Sequence, residues 1–239
     1  MGNPLHYGIE LPQRCLTLIE ELWGTASQIH GGFRPDLGPL TTTFLVSMSM
    51  PIINLPVERI ERQIGLGGFE GYVDDRHVSA QAVDAFRGVI QRGNLEHAPF
   101  YQHGAWRFAE YQGEPINLAR GLPEDIASAL DEHNAAEDAA AMNANQWMSI
   151  LRNALAHGGI VYLDEFGRSS YGKPVKMLAF ASGKFASGSC PHAENEDCRG
   201  SRGDLTALRI LRISEDGYRD FLREWVAWLG HTGIARAAA

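Results

Sequence analysis

Cysteine is scarce in this chain of 239 residues: Cys15, Cys190 and Cys198 are too few and too unevenly spaced for a disulfide framework. That usage fits a reducing compartment and leaves the three as free thiols or metal ligands. A long apolar run is missing as well. The most apolar stretch, Phe44 to Val57, is broken by Ser47, Ser49, Pro51, Asn54 and Pro56, which excludes a membrane-spanning helix there. No basic region followed by an apolar one opens the chain, so no secretory signal is expected and the expected compartment is the cytoplasm. Positive charge is also short. The 21 Lys and Arg against 29 Asp and Glu give a net charge of −8, which argues against a protein that coats nucleic acid over its whole surface. The shortage is uneven: residues 1–167 hold 10 basic and 21 acidic side chains, whereas residues 168–239 hold 11 and 8. Any nucleic-acid contact is therefore expected to be local, where the mildly basic C-terminal third meets the acidic part.

What is present is a globular composition, 44% hydrophobic and 21% charged, enough to bury a core in a single domain spanning residues 1–239. Leu16, Ile19, Leu22 and Trp23 recur at helical spacing within Gln13 to Ile29, before a Gly31-Gly32 stop. Residues Leu40 to about Ile64 read as a second helix, kinked by Pro51 and Pro56 and central because its Phe44 to Ile53 part is apolar all round. Ser79 is a candidate cap for a third helix carrying Val83, Phe86, Val89 and Ile90, and His97 to Tyr111 reads as a short aromatic helix. From Pro123 a helical pattern runs toward His157, as one helix or two. Then the period changes. Ile160 to Leu163, Val175 to Phe180 and Leu205 to Ile213 read as strands, Ser182 to Gly203 as a long loop, and Glu215 to Leu229 as a closing helix. The expected fold is mainly α: a helical bundle over about 10–158, a small β element confined to about 160–213, and a final helix over about 215–230.

Two segments imitate known sites. Gly65 to Gly71 is glycine-rich like a phosphate loop, but it follows a helix and lacks the Lys-Ser/Thr pair, so a helix stop explains it. Cys190, His192 and Cys198 offer three zinc-type ligands within one loop, at a spacing that matches no common zinc module and without an evident fourth ligand. They are weak metal candidates beside the alternative of an exposed loop with incidental thiols.

The informative segment is Gln146 to Tyr162. Trp147, Met148, Ile150, Leu151, Ala154 and Leu155 form its apolar face, and Gln146, Ser149, Arg152, Asn153 and His157 fall on the other. Asn153 and His157 are one turn apart, and small Ala156 would let a second helix approach. Arg152 and His157 diverge by about 140° around the axis, so one copy does not gather them, while two facing copies would interleave them. The plain alternative makes His157, just before Gly158-Gly159, a cationic C-terminal cap and Arg152 a solvated surface charge.

The run Leu151-Arg152-Asn153-Ala154-Leu155-Ala156-His157-Gly158 resembles the R-x-x-x-x-H signature of the HEPN superfamily, including the polar residue after the Arg. The wider chain looks like HEPN domains of mobile-element or defence-associated prokaryotic proteins. Many HEPN nucleases carry a Tyr two residues after the His; here that position is Gly159, and the nearest Tyr is Tyr162. The resemblance implies a HEPN-like bundle and a ribonuclease that needs neither metal nor other cofactor, acting as a homodimer on RNA in a toxin or phage-defence setting, where an antitoxin or defence-complex partner is a candidate. It implies Arg152, Asn153 and His157 as catalytic, with Gln146, Ser149 and Tyr162 as candidates for substrate contact. The rival expectation is a non-catalytic module that binds a nucleotide, RNA or a protein.

Overall fold

The computed structural model describes residues 8, 10–30, 38–63, 84–113, 116–170, 174–185 and 205–231. Helix α1 (Glu10–Ala26) turns Cys15 and Ile19 inward. Helix α2 (Thr41–Ser49) passes through a π turn (Met50–Asn54) into α3 (Leu55–Gln63). The prolines explain the turn. Pro56 has no N–H, so the Ile52 carbonyl loses its ordinary helical donor, and Trp225 Nε1 donates to it instead at 2.9 Å. This segment is less central than its composition suggests: Leu45, Ile52 and Ile53 are fully buried, but Met50 is 41% exposed.

A helical stretch over residues 84–91, ending in a π turn (Arg87–Gln91), leads to strand β1 (Arg107–Tyr111). Three helices follow: α4 (Glu124–Asp131), α5 (Asn134–Ala141) and α6 (Ala144–His157). Strands β2 (Ile160–Leu163), β3 (Met177–Phe185) and β4 (Leu205–Ser214) precede the closing helix α7 (Glu215–His231). No helix among the described residues is long and apolar enough to cross a membrane.

The strands form one four-stranded antiparallel sheet in the order β1-β4-β3-β2. Phe180 pairs with Ile160 on one side and Leu211 on the other, and Leu211 pairs with Phe108. Cross-strand partners share a face, so this row lies together on the bundle side, where Phe180 and Leu211 join the main core. The opposite face, with Val161, Leu163, Ala179 and Ile210, packs on Ile126 and Leu130 of α4 in a second core. The sheet is thus a middle layer between the bundle and a satellite helix.

This corrects the mainly α expectation. The fold is mixed α/β, because β1 comes from before the signature helix and the β structure is not confined to residues 160–213. The aromatics of His97 to Tyr111 suggested a helix, but Arg107–Tyr111 alternates with period two: Phe108 packs on the main core, Ala109 and Tyr111 on the second. The Pro123 to His157 pattern resolves into three helices, broken where Glu132 and Met142 turn extended with ψ near 148° and 142°. Strand β3 continues to Phe185, into the stretch expected to be a loop. Gly65 to Gly71, Ser79, and the Cys190, His192 and Cys198 candidates lie outside the described residues.

Candidate functional site

Helix α6 is fixed in place by its own largest side chain. Trp147 is fully buried, stacked on Phe100 at 5.8 Å and edge-on to Trp106 and Phe221 at 5.1 and 5.3 Å. Burial of such a ring and its edge-to-face contacts make truncation costly, about 3–5 kcal/mol for Trp→Ala. The Asn143 side chain caps the N-terminus by accepting from the Asn145 N–H at 2.9 Å. At the other end Gly158 is left-handed, with φ 72°, and its N–H returns to the Ala154 carbonyl.

With the apolar face committed, the remaining side chains part in two directions. Arg152 turns toward α3. Its Nη1 lies 2.7 Å from Glu61 Oε2 and its Nη2 3.8 Å from Glu58 Oε1, with 22% of the side chain exposed. Asn54 Nδ2 donates to the Arg152 carbonyl at 3.1 Å, so the π turn and α3 hold both ends of this residue. The guanidinium is thereby compensated by two carboxylates, the opposite of a solvated surface charge.

The other direction faces the sheet edge. Asn153 is exposed and donates from Nδ2 to Ser182 Oγ of β3 at 3.2 Å. Ser149, Ala156 and His157 are exposed on the same flank, and Gln146 is half-buried there. His157 makes no side-chain hydrogen bond or ion pair among the described residues. The structure therefore brings Asn153 and His157 onto one open flank and separates Arg152 from both.

Tyr162 is not joined to them. It stands on the edge strand β2 opposite Leu178, two register positions beyond the Ile160–Phe180 pair, and is 42% exposed. Burial raises its phenol pKa above the ordinary value. Gly159, two residues after His157, is held to glycine by its surroundings. A Cβ there would fall 2.3 Å from the Ala181 carbonyl oxygen, so only glycine lets the chain leave α6 and enter β2 against β3.

The sheet continues the open flank with residues that the sequence reading passed over. Ser182 is the register partner of Arg209 on β4, and Arg209 that of Glu110 on β1. Arg209 Nε lies 3.1 Å from Glu110 Oε2, and Lys184 Nζ 3.3 Å from Glu110 Oε1. Desolvation alone would raise the Glu110 pKa, but hydrogen bonds from Arg209, Gln112 and Lys184 outweigh it and hold the carboxyl below its ordinary range. The usable signal was alternation: Arg209 is in phase with Leu211 and Ile213, a polar continuation of a core face.

No protein-family model, curated protein or solved structure matches this chain. A cavity of about 100 Å³ lined by Tyr111, Ile116, Leu118, Leu205, Ala207 and Leu208, and another bounded by Asp164, Glu165, Pro174 and Lys176, are both built without any residue of α6. The functional argument rests on the open flank. Among the described residues no cluster of three or more His, Cys, Asp or Glu is arranged to hold a metal.

Proposed function

We propose that this chain is a HEPN-type endoribonuclease in which His157 transfers the proton. The observation that carries this reading is the state of His157: exposed at the end of a rigidly packed helix, without a side-chain partner among the described residues, and one turn from the anchored amide of Asn153. An RNA strand brings its own nucleophile. In the proposed reaction the ribose 2′-oxygen attacks the adjacent phosphorus as a neutral imidazole takes its proton, and the bond to the 5′-oxygen breaks as a protonated imidazole donates to the leaving group. One His157 cannot do both in a single step, so a second copy supplies the other across a homodimer that meets on the exposed Ala156 side. Asn153 would hold the ribose hydroxyl or orient the ring. A toxin or phage-defence role follows from the resemblance alone.

The expected products are a 2′,3′-cyclic phosphate and a 5′-hydroxyl. Cleavage should persist in a chelator, stop when the scissile nucleotide is 2′-deoxy, and fall by about 10² to 10⁴ in His157→Ala. Light scattering should report a dimer. A requirement for added divalent metal would overturn the mechanism.

One observation favours the second reading, a non-catalytic module binding RNA, a nucleotide or a protein partner. Arg152, the cation of the signature, is compensated by Glu61 and Glu58. RNA binding without cleavage, indifferent to His157→Ala, would establish that reading instead.

A further inference from the structure

The two charged clusters flanking α6 differ in balance. At α3 one guanidinium meets two carboxylates. On the sheet, two cations, Arg209 and Lys184, meet the single carboxylate of Glu110, which leaves 2 − 1 = one positive charge. Of the other described clusters of the basic C-terminal third, that of Arg219 and Arg223 with Glu20 and Asp220 is neutral, whereas Arg168 and Arg212 share Asp131 and Glu124 beside Arg107, which is held by main-chain carbonyls on the far face of the sheet. The basic third thus mostly neutralises the acidic part of its own chain, and the surplus on the face of the sheet that carries Ser182 stands at Glu110.

The position of the surplus matters as much as its sign. Arg209 is the cross-strand partner of Ser182, which holds Asn153, and His157 is one helical turn further, about 6 Å along the axis. Among the described residues only Nε of Arg209 is engaged, with Glu110, so its two terminal nitrogens retain the planar fork that fits two phosphoryl oxygens. Its side chain is 23% exposed and that of Lys184 42%. Resting on the ribonuclease reading of the same flank, we infer that Arg209, with Lys184 beside it, binds a backbone phosphodiester of single-stranded RNA next to His157. The compensated Arg152 is not the principal phosphate cation in this arrangement. RNA would enter along the sheet edge, over Lys184 and Arg209, toward Asn153 and His157.

The test separates binding from cleavage. A labelled 2′-O-methyl RNA, which lacks the nucleophile, is titrated with the full-length protein by fluorescence anisotropy at salt concentrations from about 50 to about 200 mM. Arg209→Gln and Lys184→Gln should each weaken binding by about five- to tenfold at low salt and lower the slope of log affinity against log salt by about one. Glu110→Gln should tighten binding, a change that misfolding cannot imitate. Arg168→Gln, on the other face of the sheet with the same change of charge, should bind as the wild type does. Equal effects of Arg168→Gln and Arg209→Gln, no effect of either, or no binding by the wild type would overturn the inference. Cleavage of ordinary RNA is scored separately. His157-dependent cleavage that Arg209→Gln leaves intact discards the Arg209 site and keeps the ribonuclease. Charge-dependent binding as expected, with no cleavage by the wild type, discards the ribonuclease and keeps the site.

Discussion

Two helices, α4 and α6, end against opposite faces of the sheet, and they end differently. At α4 the chain supplies cations to its own last carbonyls. Arg107 Nη1 lies 3.2 Å from the Leu130 oxygen and 3.0 Å from that of Glu132, and Arg212 Nη2 lies 2.9 Å from the Leu130 oxygen and 2.7 Å from Asp131 Oδ1. Arg168 completes the set at 3.0 Å from Asp131 Oδ2. At α6 the backbone does the work: the N–H groups of Gly158 and Gly159 both return to Ala154, and His157 in the last turn points into solvent. A helix C-terminus attracts cations through its dipole. The α4 end has been closed by side chains from two strands and a turn, whereas among the described residues no side chain closes the α6 end.

If that contrast is right, substitutions at the two ends should differ in kind. The largest effect is expected from Arg212→Leu, whose side chain is 5% exposed and whose loss removes two charge-assisted hydrogen bonds. Urea denaturation should show a loss of about 2–4 kcal/mol. Next comes Gly159→Ala, where the Cβ meets the Ala181 carbonyl at 2.3 Å and backbone must shift; about 1–3 kcal/mol is expected. A near-neutral result would show that β2 is not pressed on β3.

A smaller effect is expected from pH. Desolvation opposes ionisation of Asp131, but hydrogen bonds from Arg212 and Arg168 prevail and depress its pKa in the folded state. Its stabilisation is therefore complete above the ordinary carboxylate value and disappears as pH falls through the depressed one. Because the side chain is 45% exposed, screening should keep this below about 1 kcal/mol. Asp131→Asn should flatten the acid limb of the stability profile by that amount. The smallest effect is expected from His157→Ala, within about 0.5 kcal/mol of the wild type in the same denaturation assay. A loss near 1 kcal/mol would make His157 a structural cap and erase the distinction between the two ends.

Sequence periodicity located α1, α6 and α7 because each buries one face of a long enough helix. It also located β2, nearly all of β4, the first four residues of β3 and the Gly158-Gly159 stop. Strand β1 was illegible for a physical reason: it has five residues, and its partners Leu208 to Arg212 lie about a hundred positions downstream. The grouping of Asn153 with His157 could be read from i, i+4 spacing. The state of Arg152 could not, since Glu58 and Glu61 approach it from a distant helix whose facing depends on a π turn. Arg209 was overlooked because a charge inside a β-prone run reads as solvent-facing until the register places it beside Ser182.

The π turn at Met50–Asn54 sets the angular phase of α3 relative to α2. One residue removed from that turn would advance α3 by about 100°, carrying Glu58 and Glu61 away from α6 without altering either glutamate. The indole of Trp225, bonded to the carbonyl orphaned by Pro56, is the latch that keeps the phase. The pairing of Arg152 with Glu58 and Glu61 thus depends on one extra residue in a helical turn, and a single-residue deletion there should leave Arg152 without them.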